Sequence, residues 1–249
     1  MKNILFLIIF LAYTGENYSQ VNFTKITAGD IVNDQSYTEG VYWLDYNNDG
    51  LIDMFAANIT NQNNLLFKND GGGNFTKITA GILVNDGGFS YGASAGDFNN
   101  DGFLDIFVVN GGSSASQNNF FYTNNGDGTF TKITSGIFVN EIGNSWGSSS
   151  VDYDNDGKLD IYTANYNRNN FLYKGNGDGS FAKITDGPIV NDGGNSLTCA
   201  WGDYNNDGLP DVFVANANFA SGENNFLYRN NGNGTFTKIT AGAIVNDGG

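Results

Sequence analysis

The chain has 249 residues, room for one large domain or two ordinary ones, and its acids outnumber its bases 26 to 11 for a formal charge of −15. That balance argues against nucleic acid and anionic membrane as partners, since both recruit Lys and Arg; with no histidine and one cysteine, zinc sites and His-based triads are excluded. The 20 Phe, 13 Tyr and 35 Gly set the chain apart from disordered acidic sequences and point to an all-β fold with many tight turns.

Residues 1–20 read as a signal peptide. Lys2 supplies the positive start, the apolar run Ile4–Tyr13 is too short to span a bilayer as a helix, and small and polar residues follow. The expected location is therefore secreted or at the cell surface, without membrane insertion, and the remaining domain is 21–249.

From Phe23 onward the sequence repeats. The segment FTKIT at Phe23 returns at Phe75, Phe130 and Phe236, and as FAKIT at Phe181. An aspartate-rich loop begins 22 residues after each of the first four copies: DYNNDGLID at Asp45, DFNNDGFLD at Asp97, DYDNDGKLD at Asp152 and DYNNDGLPD at Asp203. A run of small residues such as YGASAG or WGSSSV leads into the loop. An apolar run (MFAAN, IFVVN, IYTAN, VFVAN) leaves it, and its lack of alternation predicts a strand buried on both faces. A third run (LLFKN, FFYTN, FLYKG, FLYRN) follows, and a Gly-rich turn such as NNGDGTF leads to the next Phe, as a hairpin does.

Nearly all length variation falls between the last Asp of the loop and the aromatic of the third run: 14, 17, 13 and 17 residues. Four strands in about fifty residues, repeated, predict the blades of a β-propeller, with the small-residue strand innermost. A parallel β-helix is the second architecture, but its repeat is shorter. The repeats cover about 37–80, 88–135, 143–186 and 194–241. The extra FTKIT at Phe23 reads as the closing strand of a further blade, and the end at VNDGG falls inside a linker, so the domain is expected to be incomplete: an open arc, or a strained small ring, with apolar end faces.

The loop pattern DxNxDGxxD has the chemistry of a calcium site. Side-chain oxygens at positions 1, 3 and 5, a glycine turn at 6, a carbonyl at 7 and a carboxylate at 9 suit a hard cation of flexible geometry. The first set is Asp45, Asn47, Asp49, Leu51 and Asp53. The others are Asp97, Asn99, Asp101, Phe103 and Asp105; Asp152, Asp154, Asp156, Lys158 and Asp160; and Asp203, Asn205, Asp207, Leu209 and Asp211. Unlike an EF-hand, position 12 is Ala56, Val108, Thr163 or Val214, inside the next strand. Asp-Asn-Gly clusters also form plain turns, but four copies keeping carboxylates at 1, 5 and 9 favour four calcium ions, with the four-acid Asp152 loop the tightest.

These loops, the NNGDGTF turns and the WGDY-type lead-ins resemble the FG-GAP/VCBS repeats of bacterial secreted proteins, similar in turn to the calcium-binding blades of the integrin alpha-subunit propeller. The resemblance covers 21–249. It implies a propeller, usually seven-bladed, with calcium between the first two strands of each blade; this chain carries four complete repeats. Functions in such a family span adhesion, glycan binding and accessory modules of enzymes, so fold alone does not assign one.

Trp43, Trp146, Trp201 and the loop position-2 aromatics Tyr46, Phe98, Tyr153 and Tyr204 are expected to pack blade against blade. Asp127 and Asp178 are expected to serve turns, and Cys199 to be a small buried thiol. Glu141 and Glu223 break the repeat pattern. No acidic pair outside the calcium loops suggests catalysis, and the chain is read as non-enzymatic. The favoured function is a calcium-binding adhesion or ligand-binding module for an extracellular protein or glycan; the alternative is a structural or accessory propeller of a larger secreted enzyme, such as a polysaccharide-degrading one. Ligand is expected on the face opposite calcium, at 113–117, Tyr166 to Arg168 and Phe219 to Glu223, with Tyr166, Arg168 and Phe219 the foremost contacts.

Overall fold

A computed structural model describes residues 23–112 and 117–246. The expected signal peptide at 1–20, most of the 113–117 segment and the last three residues lie outside them.

The described chain is all β apart from short helical turns: four sheets, each of four antiparallel strands in sequence order. The first blade holds β1 Thr38–Leu44, β2 Asp53–Asn58, β3 Leu65–Gly71 and β4 Asn74–Ile78. The second holds β5 Ser90–Gly96, β6 Asp105–Asn110, β7 Phe120–Asn124 and β8 Phe130–Ile133. The third holds β9 Ser145–Val151, β10 Asp160–Asn165, β11 Phe171–Gly175 and β12 Phe181–Ile184. The fourth holds β13 Ser196–Gly202, β14 Asp211–Asn216, β15 Phe226–Asn230 and β16 Phe236–Ile239. As the apolar runs predict, β6 and β10 are buried along their whole length.

The cores lie between blades. One joins Phe55 and Leu66 to Ile106 and Tyr122, a second Phe107 and Phe121 to Ile161 and Tyr173, and a third Tyr162 and Leu172 to Val212 and Tyr228. Three of the four position-2 aromatics reach forward as expected: Tyr46 meets Phe130 with ring centroids 6.2 Å apart, and Phe98 meets Phe181 and Tyr153 meets Phe236 at 5.7 Å. Trp201 likewise packs edge-on against Tyr162 of the preceding blade. Contrary to expectation, Tyr204 is half exposed and Trp43 packs on Phe75 of its own blade, because both lie on the outward faces of the end blades.

The innermost strands β1, β5, β9 and β13 pack in series. Their small residues are a steric requirement. A Cβ on Gly40 would lie 2.8 Å from the Tyr91 carbonyl oxygen, one on Gly92 3.0 Å from that of Trp146, and one on Gly147 2.7 Å from that of Leu197. The equivalent in β13 is Thr198, which is exposed.

A helical turn or bend precedes each blade and sends Leu83 and Val84, Phe138, or Ile189 and Val190 into the interblade cores. The acid that follows pairs with a fourth-strand lysine: Asp34 with Lys77, Asp86 with Lys132, Glu141 with Lys183 and Asp192 with Lys238. Glu141, irregular in sequence, thus fills the regular place. The hydroxyls of Tyr122, Tyr173 and Tyr228 donate to the same acids.

At the ends, Phe23 belongs to no strand and is 95% exposed. The outward faces of the end blades are open as well, with Trp43 59% and Tyr204 50% exposed, so these blades do not cover each other. Cys199 Sγ lies 3.0 Å from Ser149 Oγ, and burial pushes the thiol up to about 12.

Gly147→Val is expected to cost about 1–3 kcal/mol by forcing β9 and β13 apart, while Thr198→Val, on the open face, leaves urea denaturation nearly unchanged. Equal midpoints for Gly147→Val and the parent would show that this close approach does not set the blade spacing.

Candidate metal centre

The four loops share one conformation, fixed by their own carboxylates. Asp45 accepts from the backbone N–H of Asp49 through Oδ1 (3.1 Å) and of Gly50 through Oδ2 (2.9 Å), and Asp49 Oδ1 accepts from Leu51 N (3.0 Å). Asp97, Asp152 and Asp203 repeat these contacts. Position 4 is Asn48, Asn100, Asn155 or Asn206, with φ between 54° and 59°, where asparagine is the best-tolerated residue after glycine. Asn48 Nδ2 also donates to the Gly102 carbonyl and Asn100 Nδ2 to that of Gly177, each 3.0 Å away in the next blade. Asparagine at position 4 in all four copies is the sequence signal of this conformation.

Position 9 is a buried anchor. Asp53, Asp105, Asp160 and Asp211 are at most 1% exposed. One oxygen accepts from the position-2 N–H, the other from a third-strand N–H: Asn69, Asn124, Gly175 or Asn230. Burial raises all four carboxyls, Asp105 to about 6 and Asp160 to about 7.

The third loop passes a test of fit for a cation. One carboxylate oxygen from each of Asp152, Asp154 and Asp156 lies within 4.8 Å of the other two, and Asp154 Oδ1 is buried without a hydrogen-bond partner. Asp160 stands outside that cluster. An ammonium already attends two loops: Lys174 pairs with Asp154 and Asp156, and Lys68 with Asp49 at 3.1 Å. Asp154 first, and then Asp156, holds Lys174 above the ordinary lysine range.

The family model for the FG-GAP-like repeat matches at residues 45–108, 97–163, 152–214 and 205–249. The chain belongs to the FG-GAP-like repeat family. No curated sequence matches it. Among solved structures it is similar to BBS1N in complex with ARL6DN, from crystals soaked with mercury (14% identity, 83% of this chain and 58% of that one, TM-score 0.53) or lead (13%, 82% and 57%, 0.49). It is also similar to the V. cholerae biofilm matrix protein Bap1 (16%, 83% and 40%, 0.39). The chain therefore spans well under two thirds of each of these relatives, and the likeness is one of fold.

In these FG-GAP blades the aspartate-rich loops join first and second strands, and the variable loops emerge at the other end. Of the ligand residues expected there, Tyr166 and Phe219 come together, with ring centroids 6.0 Å apart and planes 23° apart. Arg168 is held separately, Nη1 donating to the Ile142 carbonyl. Trp146, expected to be packing, joins Tyr166 at 5.4 Å and Phe219 at 6.3 Å, and Tyr91 stacks on it at 4.5 Å. Asp127 and Asp178 serve their turns, accepting from the N–H and hydroxyl of Thr129 and Ser180.

Asn155→Ala, measured with calcium in excess, is expected to lower stability by up to about 1 kcal/mol, because alanine lacks the short polar side chain that makes the left-handed region tolerable to asparagine. Asn155→Gly should lose less. If both lose the same amount, backbone conformation is not what position 4 supplies.

Proposed function

We propose that this FG-GAP propeller is a calcium-stabilised, non-enzymatic module that binds an extracellular protein or glycan, as adhesion modules do, and that each loop holds one calcium ion. The observation that carries the reading is the recurring carboxylate-lined loop, with Asp154 Oδ1 buried and unpartnered among three converging carboxylates in the third copy. Calcium would supply the charge those oxygens lack, held by positions 1, 3 and 5 while the position-9 aspartate ties the loop to the blade. Thirteen of the 26 acids lie in the four loops, so the −15 charge reads mainly as a metal requirement.

The acids outside the repeat pattern support a non-catalytic role. Glu141 is paired with Lys183 and Tyr173, and Glu223 accepts from the backbone and side-chain nitrogens of Asn195. A glycosidase-like site needs two carboxyl groups facing an open cleft. A secreted or surface location follows from residues 1–20 as read in the sequence. Among the described residues no helix is long and apolar enough to cross a membrane.

Chelation is expected to lower the melting temperature and added calcium to restore it, with affinities on the order of 0.1–1 mM. At a hundredfold excess over Kd, each occupied site adds about 2.7 kcal/mol. Melting curves that ignore excess chelator refute the calcium reading. The Lys174 ammonium competes for the oxygens an ion would use, so Lys174→Met should tighten calcium binding at the third loop, read by isothermal titration of the variant beside the parent. Unchanged affinity would mean that Lys174 swings aside at no cost.

A further inference from the structure

The aromatic group opposite the calcium loops is built differently from the interblade cores. Tyr91 and Trp146 are the extra residues of β-bulges. The register of β5 on β6 passes from Ser90 opposite Asn110 to Gly92 opposite Val109, and that of β9 on β10 from Ser145 opposite Asn165 to Gly147 opposite Ala164. A bulge re-aims the side chain of its unpaired residue. Here two successive blades use it to bring a Tyr and a Trp ring together, centroids 4.5 Å apart and planes tilted by 31°. The bulge residues of the flanking blades are Glu39 and Leu197, so the rings are not a demand of the repeat.

The variable loops then lay Tyr166 and Phe219 alongside. Every ring contact in the group has an interplanar angle between 23° and 41°, and Phe219 is 74% exposed. Asn144 fixes the base: its Oδ1 accepts from Trp146 Nε1 and Gly112 N, and its Nδ2 donates to the Tyr166 carbonyl. Directly after Tyr166 come the exposed Asn167, Arg168 and Asn169, two amides and a guanidinium, and the exposed Glu39 carboxylate lies near enough to Tyr91 to act on its hydroxyl.

We propose that Tyr91, Trp146, Tyr166 and Phe219 form a stacking platform for a pyranose ring of a neutral polysaccharide, with hydroxyl groups met by Asn167, Arg168 and Asn169. The inference rests on the reading of the chain as a ligand-binding module and gives that ligand a chemical class. The C–H face of a pyranose is flat, apolar and weakly positive, and it complements the negative face of an aromatic ring. Amides and a guanidinium suit hydroxyls, which donate and accept. Rings tilted by 23° to 41° to one another do not stand as the roughly perpendicular walls of an aromatic cage around a cation. Stacked nucleotides would bring phosphates to a chain of charge −15.

The test uses the calcium-loaded protein on an array of neutral and charged oligosaccharides, with affinity electrophoresis through gels containing soluble neutral polysaccharides. Expected are binding to at least one neutral carbohydrate, a change in tryptophan fluorescence that Trp146→Phe removes, and roughly tenfold or greater weakening by Phe219→Ala. Phe219 is exposed, so this variant should melt like the parent. Tyr204→Ala, on the open face of the last blade, is the control and should bind normally. Carbohydrate binding that survives Phe219→Ala and Trp146→Phe overturns the site. A blank array, or capture of a protein that Phe219→Ala abolishes, overturns the sugar class while leaving the module a binder. Failure of the calcium reading appears separately, as indifference of the melting curve to chelator.

Discussion

The backbones of neighbouring innermost strands touch where Gly40, Gly92 and Gly147 face the carbonyls of Tyr91, Trp146 and Leu197. This contact sets how closely the blades converge on one side, and so how far they splay on the other. The wedge between them must then be filled by side chains whose size grows outward. Phe107, Phe121, Phe138 and Tyr173 do this between the second and third blades, and Lys–acid pairs cap the outer strands. Thr198 shows the constraint by exception: its strand meets no further blade among the described residues, and a side chain with a Cβ is accommodated.

The same frame divides the molecule into two unlike faces. At the loop face, each position-9 aspartate accepts one N–H from the loop and one from the third strand, so loop and sheet are one hydrogen-bonded unit. A residue gained or lost there would break that pairing, which accounts for the fixed spacing through the loops. At the other face the second strand ends in Asn58, Asn110, Asn165 or Asn216, whose N–H donates to the side-chain oxygen of Asn64, Asn119, Asn170 or Asn225 just before the third strand. Between these asparagines the chain makes contacts that differ from copy to copy, such as Arg168 N to the Gly194 carbonyl in the third, so its length is free to vary.

The strands, their order and the loop positions were legible because a fixed-length repeat turns every local signal into four agreeing ones. The partnership of Glu141 with Lys183 was not: the residues are 42 apart, and the repeat showed Asp in the other three places, so Glu looked like a departure. Yet a longer carboxylate can reach the same lysine and tyrosine. Tyr91 and Trp146 were hidden for another reason. Their direction is set by an unpaired residue in the strand register, and side-chain spacing along the sequence carries no trace of a bulge before the partner strand is known. Tyr166 and Phe219 stand out in the sequence because they interrupt the pattern in a loop, whereas Trp146 reads there as blade packing, and it does touch rings of both neighbouring blades.

These observations give a way to separate frame from function in a repeat of this kind. A position that a neighbouring blade contacts must satisfy the same neighbour in every copy, so it converges on one residue or on close equivalents such as Asp86 and Glu141. A position that no neighbour contacts is free to drift, and drift yields small polar residues more readily than large rings, which cost solubility when exposed. Large aromatics that differ from blade to blade and yet meet in space fit neither case. Tyr91, Trp146, Tyr166 and Phe219 come from three different blades, through two bulges and two loops, and their rings align to within 41°. The frame does not need that arrangement, since the bulges hold their shape with Glu39 and Leu197 in the same places. Its alignment is therefore a property of the face, and the face is where a ligand would find chemistry that the repeat did not dictate.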